Sequence, residues 1–207
     1  MELKKENTEQ VILETAEKIF IEKGYAGTRT TEIAQAAGVN HAMLHYYFRT
    51  KENLFNQIFE QKAAQLLGFF VQAFDRELPF FEKLKIGIET HFDFIAQQPG
   101  LPLFVLREII QNKERKDLIL QKALPLGMKI LSKMAQALNE EESQGNIRSM
   151  QAHDLLLNIA SLNIFAFVAA QAIFDNHADS TNEQYKNFLE VRKQNNVEVI
   201  INSLKIK

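Results

Sequence analysis

The sequence predicts an all-α chain, a small three-helix head on a larger helical body with about nine helices in all. Three observations carry that expectation. Apolar residues recur at the three-and-four spacing of a helix face in segment after segment, and nowhere does the strict alternation of a half-buried strand take over. Only four prolines and eight glycines interrupt the 207 residues, while Leu, Ala, Ile, Gln, Glu and Lys dominate between them, a composition that favours helices. Finally, two short helical stretches flank Gly38, the arrangement of a helix-turn-helix. The expected organisation is a head over residues 1–51 and a body over 52–207.

In the head, Asn7 or Thr8 is expected to cap a first helix running from about residue 8 to 23, with Val11, Ile12, Thr15, Ala16, Ile19 and Phe20 on its face and Gly24 as its stop. Thr28 or Thr30 should cap a second helix with Ile33, Ala34 and Ala37 on one side. Asn40 should cap a third that carries Leu44, Tyr47 and Phe48. Thr50 is the expected cap of a long fourth helix reaching about Arg76.

In the body, Pro79 suits the first turn of a fifth helix that ends before Pro99-Gly100. A sixth follows with Leu103, Leu106, Ile109 and Ile110. A seventh spans about 117–142 and is expected to kink or break near Pro125, which cannot donate the helical hydrogen bond. Residues 144–148 read as a polar loop. Two last helices, about 150–175 and 183–205, flank a polar, turn-forming segment from Asp175 to Asn182.

The formal net charge of −2 argues against a surface that binds nucleic acid everywhere, but the positive balance is concentrated. Between Lys23 and Lys51 the bases Lys23, Arg29, Arg49 and Lys51 face a single acid, Glu32, a net +3 in that window. The absence of cysteine removes disulfides and thiolate metal sites. Met1 to Gln10 lacks the apolar core of a secretory signal, so a cytoplasmic address is expected. Leu155 to Phe174 is the longest apolar stretch, yet Asn158, Ser161, Asn163 and Gln171 interrupt it; it reads as a buried interface helix rather than a membrane span.

A short helix presents side chains to base edges only if a second helix braces it at a fixed angle as it enters the major groove. Ile33-Ala34-Gln35-Ala36-Ala37-Gly38-Val39 supplies that brace: Ala34 permits close packing and Gly38 is free to take the left-handed conformation. The third helix then exposes His41, Ala42, His45 and Tyr46, with Leu44, Tyr47 and Phe48 expected to pack inward. Arg29 and Arg49 read equally well as solvated charges.

These residues carry a resemblance. Gly24-Tyr25-x-x-Thr28-x-Thr30-x-x-Ile33-Ala34-x-x-Ala37-Gly38-Val39, followed by Leu44-x-x-Tyr47-Phe48-x-x-Lys51-Glu52-x-Leu54, resembles the TetR family of bacterial one-component regulators. Beyond this stretch the body matches only in helix number and order. The resemblance implies that Thr30 and Thr31 open the second helix near phosphates, that Asn40, His41, Ala42, Met43, His45 and Tyr46 lie at the DNA surface, and that Lys51 touches the DNA backbone from the start of the fourth helix. Departures are visible: family members often carry Ser or Thr at Asn40, Gly at Ala42, Thr at Met43 and Tyr at His45.

Sixteen phenylalanines with no tryptophan mark the composition. Core packing accounts for most of them, while ligand pockets are apolar with a few converging polar groups. In the resembling family a cavity lies among the fourth to eighth helices, and the candidates here by helix face are Phe70, Phe74, His91, Phe92, Ile95, Phe104, Arg107, Phe165 and Gln171. His91 with Asp93, and His153 with Asp154, lack the i, i+3 or i, i+4 spacing that aims two ligands from one helix, so no metal is expected. His177 reads as solvated. No catalytic constellation or cofactor cradle appears in the sequence, so neither an enzyme nor a cofactor is expected.

The eighth helix is apolar on nearly every side, and the ninth adds Phe188, Leu189, Val191, Val197, Ile200, Ile201 and Leu204, which together imply a homodimer through about 150–175 and 183–205. The overall expectation is a homodimeric repressor that binds a pseudo-palindromic double-stranded operator and is released by a small apolar or amphipathic effector. The rival classes are a helical ligand-binding protein or enzyme that has lost DNA binding, and a helical adaptor. Salt-dependent binding to duplex DNA separates them from a repressor.

Overall fold

The computed structural model describes residues 2–111, 113–174 and 182–206. Among the described residues every regular element is a helix: α1 (Glu2–Gly27), α2 (Thr30–Ala36), α3 (His41–Phe48), α4 (Lys51–Phe74), α5 (Phe80–Gln97), α6 (Leu101–Gln111), α7 (Lys113–Ser143), α8 (Ala152–Ile173) and α9 (Glu183–Leu204). Two compact units result, one made of Met1–Ala64 with Gly100–Ala123, the other of Gln65–Pro99 with Leu124–Lys207.

In the first unit α1 starts at Glu2, so Asn7 and Thr8 lie inside the helix and do not cap it. The residues before them, Glu-Leu-Lys-Lys-Glu, are all good helix formers. Gly24 does interrupt α1, with φ 72° and ψ 169°, before one more turn to Gly27. Ile12, Leu13, Ala16 and Phe20 are buried along α1, as are Ile33 and Ala34 of α2, Leu44 and Phe48 of α3, and Leu54, Phe55 and Ile58 of α4.

α6 completes this unit with buried Leu101 and Phe104. The Phe55 ring meets Phe20 edge-on at 5.4 Å and Phe104 at 5.7 Å between centroids. This corrects the expectation of Phe104 in a ligand cavity of the body; it packs on the head's aromatic core. Beside it, Glu17 and Lys62 form a 2.8 Å ion pair at the edge of a small apolar crevice lined by Phe20, Phe55, Phe59 and Leu101.

In the second unit α5 buries Phe80, Leu84, Ile88, Phe92 and Ile95 at helical spacing. Pro79 precedes the first turn as its cap residue, one position earlier than expected. Ile88 and Phe70 share a core with Ile130, Met134 and Leu138 of α7, Leu155 and Ile159 of α8, and Val197, Ile200 and Leu204 of α9. Gly87 makes room for Phe70, whose ring would lie 3.1 Å from a Cβ there.

α7 continues through Pro125 as one helix, so of the expected kink or break the break does not occur. Proline there removes one helical hydrogen bond. The turn at 144–148 is not wholly polar: Ile147 is buried, and the Arg148 N–H donates to Leu204 O at 2.9 Å. The expected turn at Asp175–Asn182, with His177, lies outside the described residues except for Asn182. That side chain caps α9, accepting from the Gln184 and Tyr185 N–H groups at 2.9 and 3.2 Å.

A polar bridge crosses the apolar interior of this unit. Asn163 of α8 donates through Nδ2 to Ile88 O and to His91 Nδ1 of α5, each at 3.0 Å, and accepts through Oδ1 from Asn196 Nδ2 of α9 at 3.0 Å. Arg192 donates to the Asn196 oxygen at 2.8 Å. The bridge ties three helices at one register, because each unmade buried hydrogen bond would cost about 1–3 kcal/mol.

Candidate nucleic-acid interface

The turn between α2 and α3 is built by backbone bonds: the Gly38 N–H donates to Gln35 O at 3.1 Å and the Val39 N–H to Ala34 O at 3.0 Å. This closure needs Gly38 at φ 67°, and a Cβ there would meet nothing within 4 Å, so glycine is required for its backbone and not for space. Asn40 then caps α3, its Oδ1 accepting from the Met43 N–H at 2.7 Å. Leu44 and Phe48 at 2% and 3% exposure fix the helix to the core, which turns the opposite face outward.

That outward face carries His41, Ala42, Met43, His45 and Tyr46, all exposed, and Asn40 and Thr31 are exposed beside it. Tyr46 stands 55% exposed, with its ring edge-on to Tyr47 at 5.4 Å. Tyr47 is only half-buried, so it is less a core residue than its spacing suggests. The expected caps of α2 do other work. Thr28 is buried and donates back to Gly24 O at 2.8 Å, whereas the Thr30 hydroxyl lies 3.0 Å from His41 Nε2 and links the starts of α2 and α3. Arg29 occupies the cap position with no side-chain bond.

Charge is sorted around this face. Lys23 forms an ion pair with Glu32, the one acid of the window; their hydrogen bond raises the Lys23 pKa and lowers that of Glu32. Arg29, Arg49 and Lys51 are the other cations of this window. Arg49 ends α3 at φ 63°, an uncommon conformation for a non-glycine residue, with its guanidinium carbon 6.0 Å from the Tyr46 ring centre. Thr50 caps α4 as expected, accepting from the Asn53 N–H at 3.0 Å. Lys51 opens α4 with its ammonium 4.3 Å above the Tyr25 ring. Tyr25 stands out in the sequence only as part of the Gly24-Tyr25 motif; its contact with Lys51 has no local signal there.

The ligand candidates fall in both units: Phe104 and Arg107 in the first, Phe70, Phe74, His91, Phe92, Ile95, Phe165 and Gln171 in the second. Phe92 and Ile95 pack with Ala166 and Phe167, Phe70 lies against His91 at 5.5 Å between ring centres, and Phe74 meets Phe80 at 6.4 Å. Burial lowers the His91 pKa to about 4, so its Nδ1 is a neutral acceptor for Asn163. Gln171 is half-buried. Arg107 is exposed in the first unit, near Gly24. Phe165 is 68% exposed because α8 buries Asn163, Ala166, Phe167 and Ala170 on the opposite side of the helix; it does not point into the interior.

A helix-turn-helix head with an outward third helix, flanked by cations and joined to an all-helical body, defines a class of DNA-binding regulator fold. Residues 12–58 match the family described as bacterial regulatory proteins, tetR family. Among curated proteins, the chain is 27% identical over 101 residues to the fatty acid metabolism regulator protein of Bacillus subtilis, covering 49% of this chain and 52% of that one. It is 32% identical over 105 residues to the HTH-type transcriptional regulator AcrR of Shigella flexneri, covering 51% and 39%. The chain thus matches about half or less of the length of these relatives.

Solved structures extend the likeness over the whole chain. HlyIIR, a hemolysin II transcriptional regulator, is 27% identical with a TM-score of 0.66, covering 98% of this chain and 99% of that one. PfmR of Thermus thermophilus, a TetR family transcriptional regulator, shares the fold at 22% identity with a TM-score of 0.70, covering 94% and 99%. Residues 12–58 thus match the tetR family of bacterial regulatory proteins, and the chain as a whole shares the fold of these TetR family regulators.

Proposed function

We propose that the chain is a DNA-binding transcriptional regulator that acts in the cytoplasm as a homodimeric repressor. The observation that carries this reading is the outer face of α3, where His41, Ala42, Met43, His45 and Tyr46 stand exposed on a helix whose N-terminus is capped and whose flanks carry Arg29, Arg49 and Lys51. Residues 1–51 supply the DNA-binding part in this reading and 52–207 the effector-binding and dimerising part. Asn40, His41, Ala42, Met43, His45 and Tyr46 face the groove. Thr31 and Lys51 meet phosphate, and Thr30 holds His41 in place.

Dimerisation is supported by the apolar side chains left exposed on the last two helices. Leu157, Phe165 and Ile173 are 64%, 68% and 62% exposed on α8, and Val191 and Val199 are 46% and 54% exposed on α9. By length and composition α8 could also cross a membrane. A facing copy of the same helix covers this surface while the opposite side remains packed on α5 and α9.

The effector is proposed to be a small apolar or amphipathic molecule, in keeping with the name of the Bacillus subtilis relative, a fatty acid metabolism regulator. Phe70, Phe92 and Ile95, buried in the second unit, are the apolar side chains proposed to meet it. Release of DNA is limited by the effector's preference for the non-operator state: about 3 kcal/mol of coupling weakens DNA binding roughly 150-fold.

Selection of duplexes from a random-sequence pool by the full chain tests the reading. On the recovered duplex, Tyr46→Ala should weaken binding at least about fivefold, the scale of a groove contact worth about 1–3 kcal/mol, and leave the dimer intact by analytical ultracentrifugation. Unchanged affinity would remove Tyr46 from the interface, and failure to enrich any sequence would contradict the regulator reading.

A further inference from the structure

Lys51, beside α3, sits over an aromatic ring that is itself held from three sides. Its ammonium lies 4.3 Å above the centre of Tyr25. The Tyr25 ring stacks on Phe20 at 5.9 Å and stands edge-on to Phe55 at 5.1 Å, both of which are buried. The third hold is on the backbone. Gly24 takes φ 72° and breaks α1, so the Tyr25 N–H leaves the helical ladder, and the carboxylate of Glu108 on α6 accepts it at 3.1 Å.

Glu108 is only 6% exposed, although it sits on a helix that is otherwise largely apolar. A carboxylate placed there is costly unless it is hydrogen-bonded, and the N–H freed by the α1 break is a donor it meets. The cation over the ring and the carboxylate under the backbone thus act on the same residue from two different helices, α4 and α6.

We propose that Tyr25 is a positioning residue for DNA binding, holding the Lys51 ammonium over its ring toward the phosphate backbone, and that Glu108 fixes Tyr25 in that place from α6. The proposal rests on the reading of Lys51 as a phosphate contact. A lysine side chain is long and flexible, and an ammonium held beforehand loses less freedom when it meets a phosphate. The face of an aromatic ring attracts an ammonium placed over it. α6 thereby gains a direct hold on a DNA contact without touching DNA.

The test combines a spectroscopic signature with a binding cycle, using the full chain and the duplex recovered by selection. In NMR of the free protein, the Lys51 Cε protons should be shifted upfield by the Tyr25 ring. That shift should persist in Tyr25→Phe and in Glu108→Gln, which keeps an acceptor, disappear in Tyr25→Leu, and diminish in Glu108→Ala. On DNA, Tyr25→Leu should weaken binding about two- to fivefold, the range of an exposed cation–π contact, and do so only while Lys51 is present. Thermal melting with each variant checks that the head remains folded, and Tyr25→Phe against Tyr25→Leu keeps the comparison valid if the larger change loosens the core.

Lys51→Ala should lower the log-log salt slope by about 0.9, the value for one phosphate contact. An unchanged slope would overturn the phosphate reading and the proposal with it. A lowered slope with Tyr25→Leu equally harmful in the Lys51→Ala background would leave the phosphate reading standing and overturn the positioning role alone. An upfield shift absent from the wild-type protein would likewise overturn the role of Tyr25.

Discussion

At the scale of single residues, His91 shows how burial chooses a protonation state. Its ring is 3% exposed, its Nδ1 accepts from Asn163, and desolvation lowers its pKa from 6.5 to about 4. The unfolded chain therefore binds a proton at a pH where the folded chain does not. Stability associated with neutral His91 is complete above the unfolded value and is lost as pH falls through the window between the two pKa values. His91→Gln keeps an acceptor without the titration. The stability advantage of the wild type over this variant should shrink by about 2 kcal/mol between pH ~7 and pH ~5, read by urea unfolding at both. A difference that does not change with pH would contradict the neutral-acceptor assignment.

Helices and turns show which rules were readable from the chain and which were overruled. Asn40 and Thr50 cap α3 and α4 as their positions predict, and Gly24 and Gly38 take the left-handed conformations that no side chain would favour. Thr28 and Thr30 look equally good as caps, but their hydroxyls are claimed by Gly24 O and His41, partners that local sequence does not reveal. The same holds for Phe104 and Phe165. Helical period tells that a face is apolar but not whether its partner is the head core, the body or another copy of the chain. Glu108 is a lone carboxylate in a largely apolar α6, and its partner, the Tyr25 N–H, is 83 residues away in the chain, where no local pattern reveals it. Gly38 offers a clean test of turn chemistry, since there is open space around its missing Cβ. Gly38→Val should cost about 1–2 kcal/mol of unfolding free energy, while Gly38→Asn should cost clearly less. Equal costs would show that something other than backbone conformation selects glycine there.

Across the whole molecule, recognition of a long site requires two heads, and the exposed apolar row on α8 is where a second copy is expected to pack. Phe165→Glu places a charge in the middle of that row, so sedimentation should shift toward monomer and binding to the recovered duplex should weaken at least about tenfold, as one head loses its partner. A variant that remains dimeric with full affinity would remove α8 from the interface. In the proposed dimer each α3 enters its own major groove, so the recovered sites should contain two inverted half-sites about one helical turn or a multiple of it apart. The central claim, that the outer face of α3 reads base sequence, is tested most directly by measuring the affinity of the full chain for the recovered duplex and for a scrambled duplex of the same composition across a salt series. Both affinities should fall steeply with salt, and the recovered duplex should stay preferred by roughly a thousandfold or more. Equal affinity for the two duplexes at every salt concentration would contradict it.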